Sequence, residues 1–323
     1  MRHIATWLLG VSVLLLAACG PGGDGEAQEA GPAGNGELTE VTVGVLPIVD
    51  VAPIYVGIEQ GLFEEHGLEL TLELAQGGAA VIPGVVAGQI QVGFSNITSL
   101  LLASHEGLPL RIVAPGSSTT GQPGQDYAAV VTNPDSGIET PADLTGHTVA
   151  VNTLNNIGDS TVSKVVNDDG ADPSAVEFIE LGFPDMPAAL SSGQVDAAWI
   201  TEPHLSTAMD QGAVPISWNY AEVHPELTVA AYFTSQQYMS SDPETVEAFT
   251  TAMREALTYT QQNPQAGINV LGEYTEIESD TAQQLSMPEF GSEINTATVQ
   301  LLADLALEYD LVSSEIDVST LLP

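Results

Sequence analysis

Between residues 41 and 200, short apolar runs that read as strands alternate with stretches of helical spacing, and glycines punctuate the joins. Residues 41–46 form a buried-strand run, 53–61 a helix stopping at Gly61, and 68–74 an alternating strand. Residues 79–87 read as an apolar helix closed by Gly88, 91–94 as a strand, 97–105 as a helix and 110–114 as a strand. A second set follows: strands over 127–132, 147–151, 176–181 and 195–200, with helices over 159–167 and 187–192. Strand-helix repetition of this kind argues a parallel α/β sheet. Helix dominates the end, over 243–263, 264–273 and 295–309. Two loosely patterned stretches, 116–126 and 217–233, separate the parts. Two separators predict a chain that crosses twice between lobes: 38–124 plus 231–323 in one, 125–230 in the other.

The front of the chain reads differently. Arg2 and His3 precede an apolar run over 7–16, which is too short for a membrane span. Residues 1–18 therefore read as a secretory signal. Leu16-Ala17-Ala18-Cys19 fits the lipobox of bacterial lipoproteins, in which the thiol takes a diacylglycerol. Cys19 is the single cysteine and the expected lipid attachment point. Each buried CH₂ of such an anchor contributes about 0.8 kcal/mol. Residues 19–37 make a linker in which seven glycines, two prolines and four acids accompany no large apolar residue. The expected location is the outer face of the cell membrane, extracellular or periplasmic. Beyond Cys19 no disulfide and no thiolate metal site is possible.

Acids number 43 against 4 Lys and Arg, a formal charge of −39. No basic patch can be built from Arg111, Lys164 and Arg254, so nucleic acid is excluded as a partner. The apolar content is too periodic for disorder. The charge predicts a salt-adapted, halophilic or marine surface, with self-repulsion screened by salt.

Several segments resemble a known family. "VGVLPIVDVAPIYVGIEQGLFEEHGLELTLE" resembles the opening of the solute-binding proteins for nitrate, sulfonates, taurine and thiamine pyrimidine precursors, with Gly61-Leu62-Phe63 and Gly67-Leu68 carrying the pattern. "GGAAVIPGVVAGQIQVGFSN", "GLPLRIVAPGSS", "TPADLTGHTVAV" and "AALSSGQVDAAWITEP" are similar to its later parts, so the resemblance spans most of residues 41–260. It implies an α/β, two-lobed periplasmic-binding-protein fold of type II with two hinge crossovers. It also implies a monomeric receptor that closes on a small solute, hands it to an ABC permease, and needs no cofactor.

In open α/β sheets, ligands sit beyond the carboxyl ends of strands. That rule selects the loops carrying Asp50, Gly78, Ser95, Asn96 and Ser117 in the first lobe, and Asn155, Asn156, Asp185 and Glu202 in the second. Loops that open helices offer free N–H groups to anions, and Ser95, Asn96, Ser117, Asn155 and Asn156 add neutral donors. Asp50, Asp185 and Glu202 suit an amine, since a buried carboxylate needs a partner. Tyr55 and Trp199 offer ring faces, and Trp218 and Tyr220 lie near the second crossover. Taurine or another sulfonate, and an aminopyrimidine, both satisfy this mixture. No nucleophile elbow, P-loop, dinucleotide-binding or zinc-protease motif occurs. The family's synthase-like branch uses a cysteine-rich motif that this chain lacks. The expectation is a binding protein without a metal. The alternatives are a ligand-presenting sensor and a pyrimidine-precursor synthase-like enzyme.

Overall fold

The computed structural model describes residues 38–277 and 279–322; Cys19, the signal and the linker lie outside the described residues. Ten strands occur among them. The first sheet takes β1 (Thr39–Val45), β2 (Leu68–Leu74), β3 (Val92–Asn96), β4 (Leu110–Pro115) and β10 (Ala230–Ser235), in the order β2-β1-β3-β10-β4. The second takes β5 (Ala128–Thr132), β6 (Thr148–Val151), β7 (Glu177–Glu180), β8 (Ala197–Thr201) and β9 (Val214–Ser217), in the order β7-β6-β8-β5-β9. Helices flank both sheets, which gives the type II periplasmic-binding-protein arrangement.

Burial follows strand position. Every residue of β5, β8 and β10 is buried, as expected of inner strands covered on both faces. Edge strand β2 alternates instead and turns Glu69 and Glu73 outward, which blunts an otherwise adhesive edge. Both sheets are mixed, within the mixed or parallel arrangement expected of each lobe. β1 pairs in parallel with β2 and β3, whereas β10 runs antiparallel between β3 and β4. β5 likewise runs antiparallel to β8 and β9. The stretch over 217–233 is also more ordered than its pattern suggests. It holds the helix Asn219–Val223 and the start of β10.

The chain passes between the sheets twice, and the two passages lie side by side. Gly116 N–H donates to the Ala230 carbonyl (3.0 Å), Val229 N–H to Ser117 (2.9 Å), and Thr119 N–H to Leu227 (3.0 Å). Ser118 and Glu289 exchange backbone bonds of 2.9 and 3.0 Å, which adds the C-terminal segment to this ribbon. The helices Pro243–Gln262 and Pro264–Val270 pack on Ala52–Glu59, beside the first sheet. Thr296–Glu308 touches a helix from each side, Ile97–His105 and Ile157–Asp168. No helix among the described residues is long and apolar enough to cross a membrane.

Candidate ligand-binding site

Between the facing ends of the two sheets lies a small central pocket. The first sheet contributes Ile48 and Asp50 after β1, Gly78 at a helix start, and Phe94 and Asn96 at the end of β3. The second contributes Asn152 after β6, Ile157, Phe183, Trp199 and Thr201 of β8, and Tyr220. The free space is about 30 Å³, roughly one water molecule. The walls already touch, so a solute of any size needs them to part. A larger hollow of about 420 Å³ opens nearby, between Pro47 and Tyr274–Ile277 on one side and Pro184, Pro203 and His204 on the other. Buried polar atoms without partners belong to the linings of both, His204 Nε2 and the Tyr274 hydroxyl in the larger hollow and three in the small pocket. The small pocket, however, lies where the parallel strands of both sheets end and has the stronger claim as a recognition site.

Asp50 sits in the turn Val49–Val51 and is 2% exposed. Its Oδ1 accepts from Ser117 Oγ at 2.5 Å, and the Tyr127 hydroxyl donates to that Ser117 oxygen at 3.4 Å. Its Oδ2 has no partner. Burial pushes the Asp50 pKa up to about 6, against the pull of the Ser117 and Tyr127 hydroxyls. Two other lining atoms, Trp199 Nε1 and Thr201 Oγ1, are also buried and unpartnered. A buried polar group without a partner costs about 1–3 kcal/mol, so three at one place form a template for a molecule that supplies the missing bonds. The pocket thus offers a carboxylate acceptor, an indole donor and a hydroxyl. Phe183 supplies an aromatic wall. Its ring lies 5.4 Å from Trp199 and stacks at 6.4 Å on the His204 imidazole. The Trp199 ring meets Tyr220 edge-on at 5.8 Å.

No cation lines the pocket. Arg111 donates to the carbonyls of Ser319, Thr320 and Leu322, and Lys164 pairs with Asp168. Arg254 lies on the outer helix Pro243–Gln262.

The sequence-selected residues divide into groups. Asp50, Gly78, Asn96 and Trp199 line the pocket. Gly78 is there because nothing larger fits: a Cβ would lie 2.2 Å from Ser95 Oγ and 2.7 Å from Ser95 Cα. Ser95 is buried beneath it with an unpartnered hydroxyl, and Ser117 reaches the pocket only through Asp50. Asn96 caps the helix Ile97–His105. Its Oδ1 accepts from Ser99 N–H (2.8 Å), and its Nδ2 donates to Ser99 Oγ (3.0 Å). Asn156 is a buried cap that donates to Asn152 Oδ1 at 2.8 Å, which leaves Asn152 at the wall.

Four others point elsewhere. Asn155 has φ 55° and lines a separate hollow with Asp159 and Tyr309. Asp185 is exposed at the start of the helix Met186–Ser191. Tyr55 stacks on Tyr274 at 4.0 Å, and burial together with Glu273 pushes its pKa up to about 12. Glu202 is buried, but its carboxylate is occupied by Ser206, whose N–H and Oγ donate at 2.9 and 2.8 Å. Phe94, Asn152, Phe183 and Thr201 were not singled out from sequence. Asn152, Phe183 and Thr201 do lie in loops, or at a strand end, that the strand-terminus rule selects.

The pocket lies where the parallel strands β1, β3, β6 and β8 end, and the strands around it keep one order in each sheet. Residues 48–267 match the family model described as NMT1/THI5 like. The chain belongs to the NMT1/THI5-like family. One relative is the formylaminopyrimidine-binding protein of Halalkalibacterium halodurans, 25% identical over 268 residues that cover 81% of this chain and 76% of that one. Solved structures share the fold. The alkanesulfonate-binding protein SsuA from Xanthomonas axonopodis, bound to MOPS, superposes with a TM-score of 0.75 at 17% identity, covering 89% of this chain and 99% of that one. The ligand-binding component of an ABC-type import system from Staphylococcus aureus gives 0.75 at 13% identity, covering 88% and 96%. Within this NMT1/THI5-like chain, no group of three or more His, Cys, Asp or Glu side chains among the described residues is placed to hold a metal.

Proposed function

We propose that this protein is the extracytoplasmic solute receptor of an ABC importer, and that it takes a small amino-bearing heterocycle of the aminopyrimidine class. The observation that carries the solute class is the free Oδ2 of Asp50 in a pocket without a cation. A ring bearing an exocyclic amine would donate to Asp50, accept from Trp199 Nε1, and lie against Phe183 and Tyr220. The formylaminopyrimidine-binding relative and the import-system neighbour support this reading. It acts as a receptor without turnover, in one copy, anchored through Cys19 at the head of the 19–37 linker. Closure brings the lobe of residues 125–230 onto that of 38–124 plus 231–323, because the solute adds contacts that only the closed form offers.

A sulfonate is the second reading. The starts of the helices Gly78–Val86, Ile97–His105 and Ile157–Asp168 all border the pocket and present N–H groups to an anion. The facing Asp50 carboxylate weighs against it. The test is a thermal-shift and calorimetric comparison in molar salt of 4-aminopyrimidine derivatives, taurine and alkanesulfonates, on wild type and Asp50→Asn. Stabilisation by the aminopyrimidines, lost in Asp50→Asn, is the expected result. Stabilisation by sulfonates alone, unchanged or strengthened in Asp50→Asn, overturns the solute class. Turnover of any bound compound overturns the receptor reading.

A further inference from the structure

A hollow of about 430 Å³ shares no lining residue with the central pocket. One wall is the start of the helix Ile157–Asp168 together with the stretch 172–178 that leads into β7. The other is residues 308–311, where the helix Thr296–Glu308 ends. The two helices touch. The volume falls within the range of ligand pockets, roughly 300–1,000 Å³. Four carboxylates line the hollow, Asp159, Asp172, Glu308 and Asp310, and no Lys or Arg does. Asp159 distinguishes it from a solvated acidic face. It is only 6% exposed. Its Oδ2 accepts from Asn155 N–H at 2.6 Å, whereas its Oδ1 is buried and has no partner. Burial pushes the Asp159 pKa up to about 7, against the pull of backbone N–H groups. Asp172, by contrast, is served by Ser174, whose N–H and Oγ donate at 3.0 and 2.7 Å. The backbone is shaped around the same place. Asn155 (φ 55°) and Asp310 (φ 59°) are the two non-glycine residues of positive φ among the described residues, and both line this hollow. Phe178, Tyr309 and Leu311 give it an apolar part.

We infer that this hollow is a second binding site, one that takes a small organic ammonium ion with an apolar body and holds it through Asp159 Oδ1. A buried carboxylate needs a donor or a counter-charge, and the chain's own cations are engaged or placed elsewhere. Arg111 serves the carbonyls near the C-terminus, Lys164 pairs with Asp168, and Arg254 lies on the helix Pro243–Gln262. An ammonium group would supply the missing bond, and bonds to an ionised acceptor are stronger than neutral ones. Glu308 and Asp310 add attraction from the facing wall, and the rings of Phe178 and Tyr309 suit a cation with an apolar body. The four carboxylates exclude an anion. An organic cation fits better than a metal ion, because no group of three or more His, Cys, Asp or Glu side chains among the described residues is placed to hold one. The site stands on its own residues and does not depend on which solute the central pocket takes.

Calorimetry with benzylammonium chloride at pH 8 tests it, with benzyl alcohol as the uncharged counterpart. The full chain carrying Asp50→Asn is used throughout, so that the central carboxylate cannot account for the result. Asp50→Asn alone is expected to bind benzylammonium and not benzyl alcohol. Adding Asp159→Asn should weaken that binding roughly tenfold or more, while the new amide oxygen can still accept from Asn155. Absence of binding to Asp50→Asn, equal binding by the double variant, or an equal response to benzyl alcohol overturns the site. Hydrogen exchange on Asp50→Asn with and without benzylammonium covers the case in which the double variant fails to fold. Slower exchange over 155–159 and 308–311 supports the site; unchanged exchange there, or slowing confined to other segments, overturns it. If aminopyrimidines fail to bind wild type while benzylammonium protects these two segments, the proposed solute class falls and the second site stands.

Discussion

Asp50 follows a strand of the first sheet and Glu202 a strand of the second, and they resemble each other closely. Each is buried, each lacks a cation, and burial lifts each well above the ordinary carboxylate range, to about 6 and about 7. They differ in what their oxygens meet. Asp50 accepts from Ser117 at Oδ1 and has no partner at Oδ2, whereas both Glu202 oxygens accept from Ser206. Burial alone therefore does not mark a ligand contact. An acceptor left open toward a cavity does, and an acceptor closed by the protein's own amides marks architecture.

The largest effect expected from this contrast is on binding. Asp50→Asn should weaken an aminopyrimidine about a hundredfold, in line with roughly 1.5–3 kcal/mol for a bond to a charged group. Glu202→Gln should change Kd by no more than a few-fold, because both of its oxygens are already served by Ser206. Calorimetric Kd values that rise equally for both variants would erase the distinction. Next is the floor of the pocket. Gly78→Ala drives a methyl into Ser95 and should destabilise by about 1–3 kcal/mol, visible as a lower Tm.

The two acids should also act alike on stability, together with Asp159, which burial pushes up to about 7. A carboxylate whose folded pKa is raised binds its proton more tightly in the native state than in the unfolded one. Stability then falls as pH rises from about 4 through 6 to 7. The midpoint in a thermal melt should be higher at pH 5.5 than at pH 8, and Asp50→Asn should flatten part of that slope. A melt that rises with pH would contradict the assigned burial. The smallest effect is expected from Trp199→Phe, which keeps a ring but removes the Nε1 donor, and should cost only a few-fold in Kd. Separately, the −39 charge predicts a higher Tm in molar salt than in dilute buffer.

Much of this was legible in the sequence. Period-2 runs and glycine stops located most strands and helices to within a few residues. The exceptions include the helices His204–Asp210 and Gln236–Ser241, the strand β9 and, most instructively, β10. Ala-Ala-Tyr-Phe-Thr-Ser is buried on both faces, so it shows no alternation, and its partners β3 and β4 lie more than a hundred residues earlier. The strand-end rule selected the loops carrying Asp50, Gly78 and Asn96, which line the central pocket; Trp199, offered as a ring face, lines it from within β8. It could not say which way a loop residue turns. Asn155 and Asn156 are neighbours, yet the positive φ of Asn155 sends it to another hollow while Asn156 stays buried as a cap. Tyr55 sits in the right segment, but its ring goes to Tyr274. Glu202 carried a family-like motif, and what the motif did not disclose was that Ser206, four positions on, serves both of its oxygens.

The two passages between the sheets are zipped to each other by backbone bonds and joined at Ser118 by a third segment. Two separate cords would let the halves twist, slide or swing in any direction. A bonded strip is stiff within its own plane and yields only to bending across it, as a leather strap does. Under the proposed closure, opening is thereby confined to a single arc, and each return journey along it brings Asp50 and Trp199 back to the same register without any search.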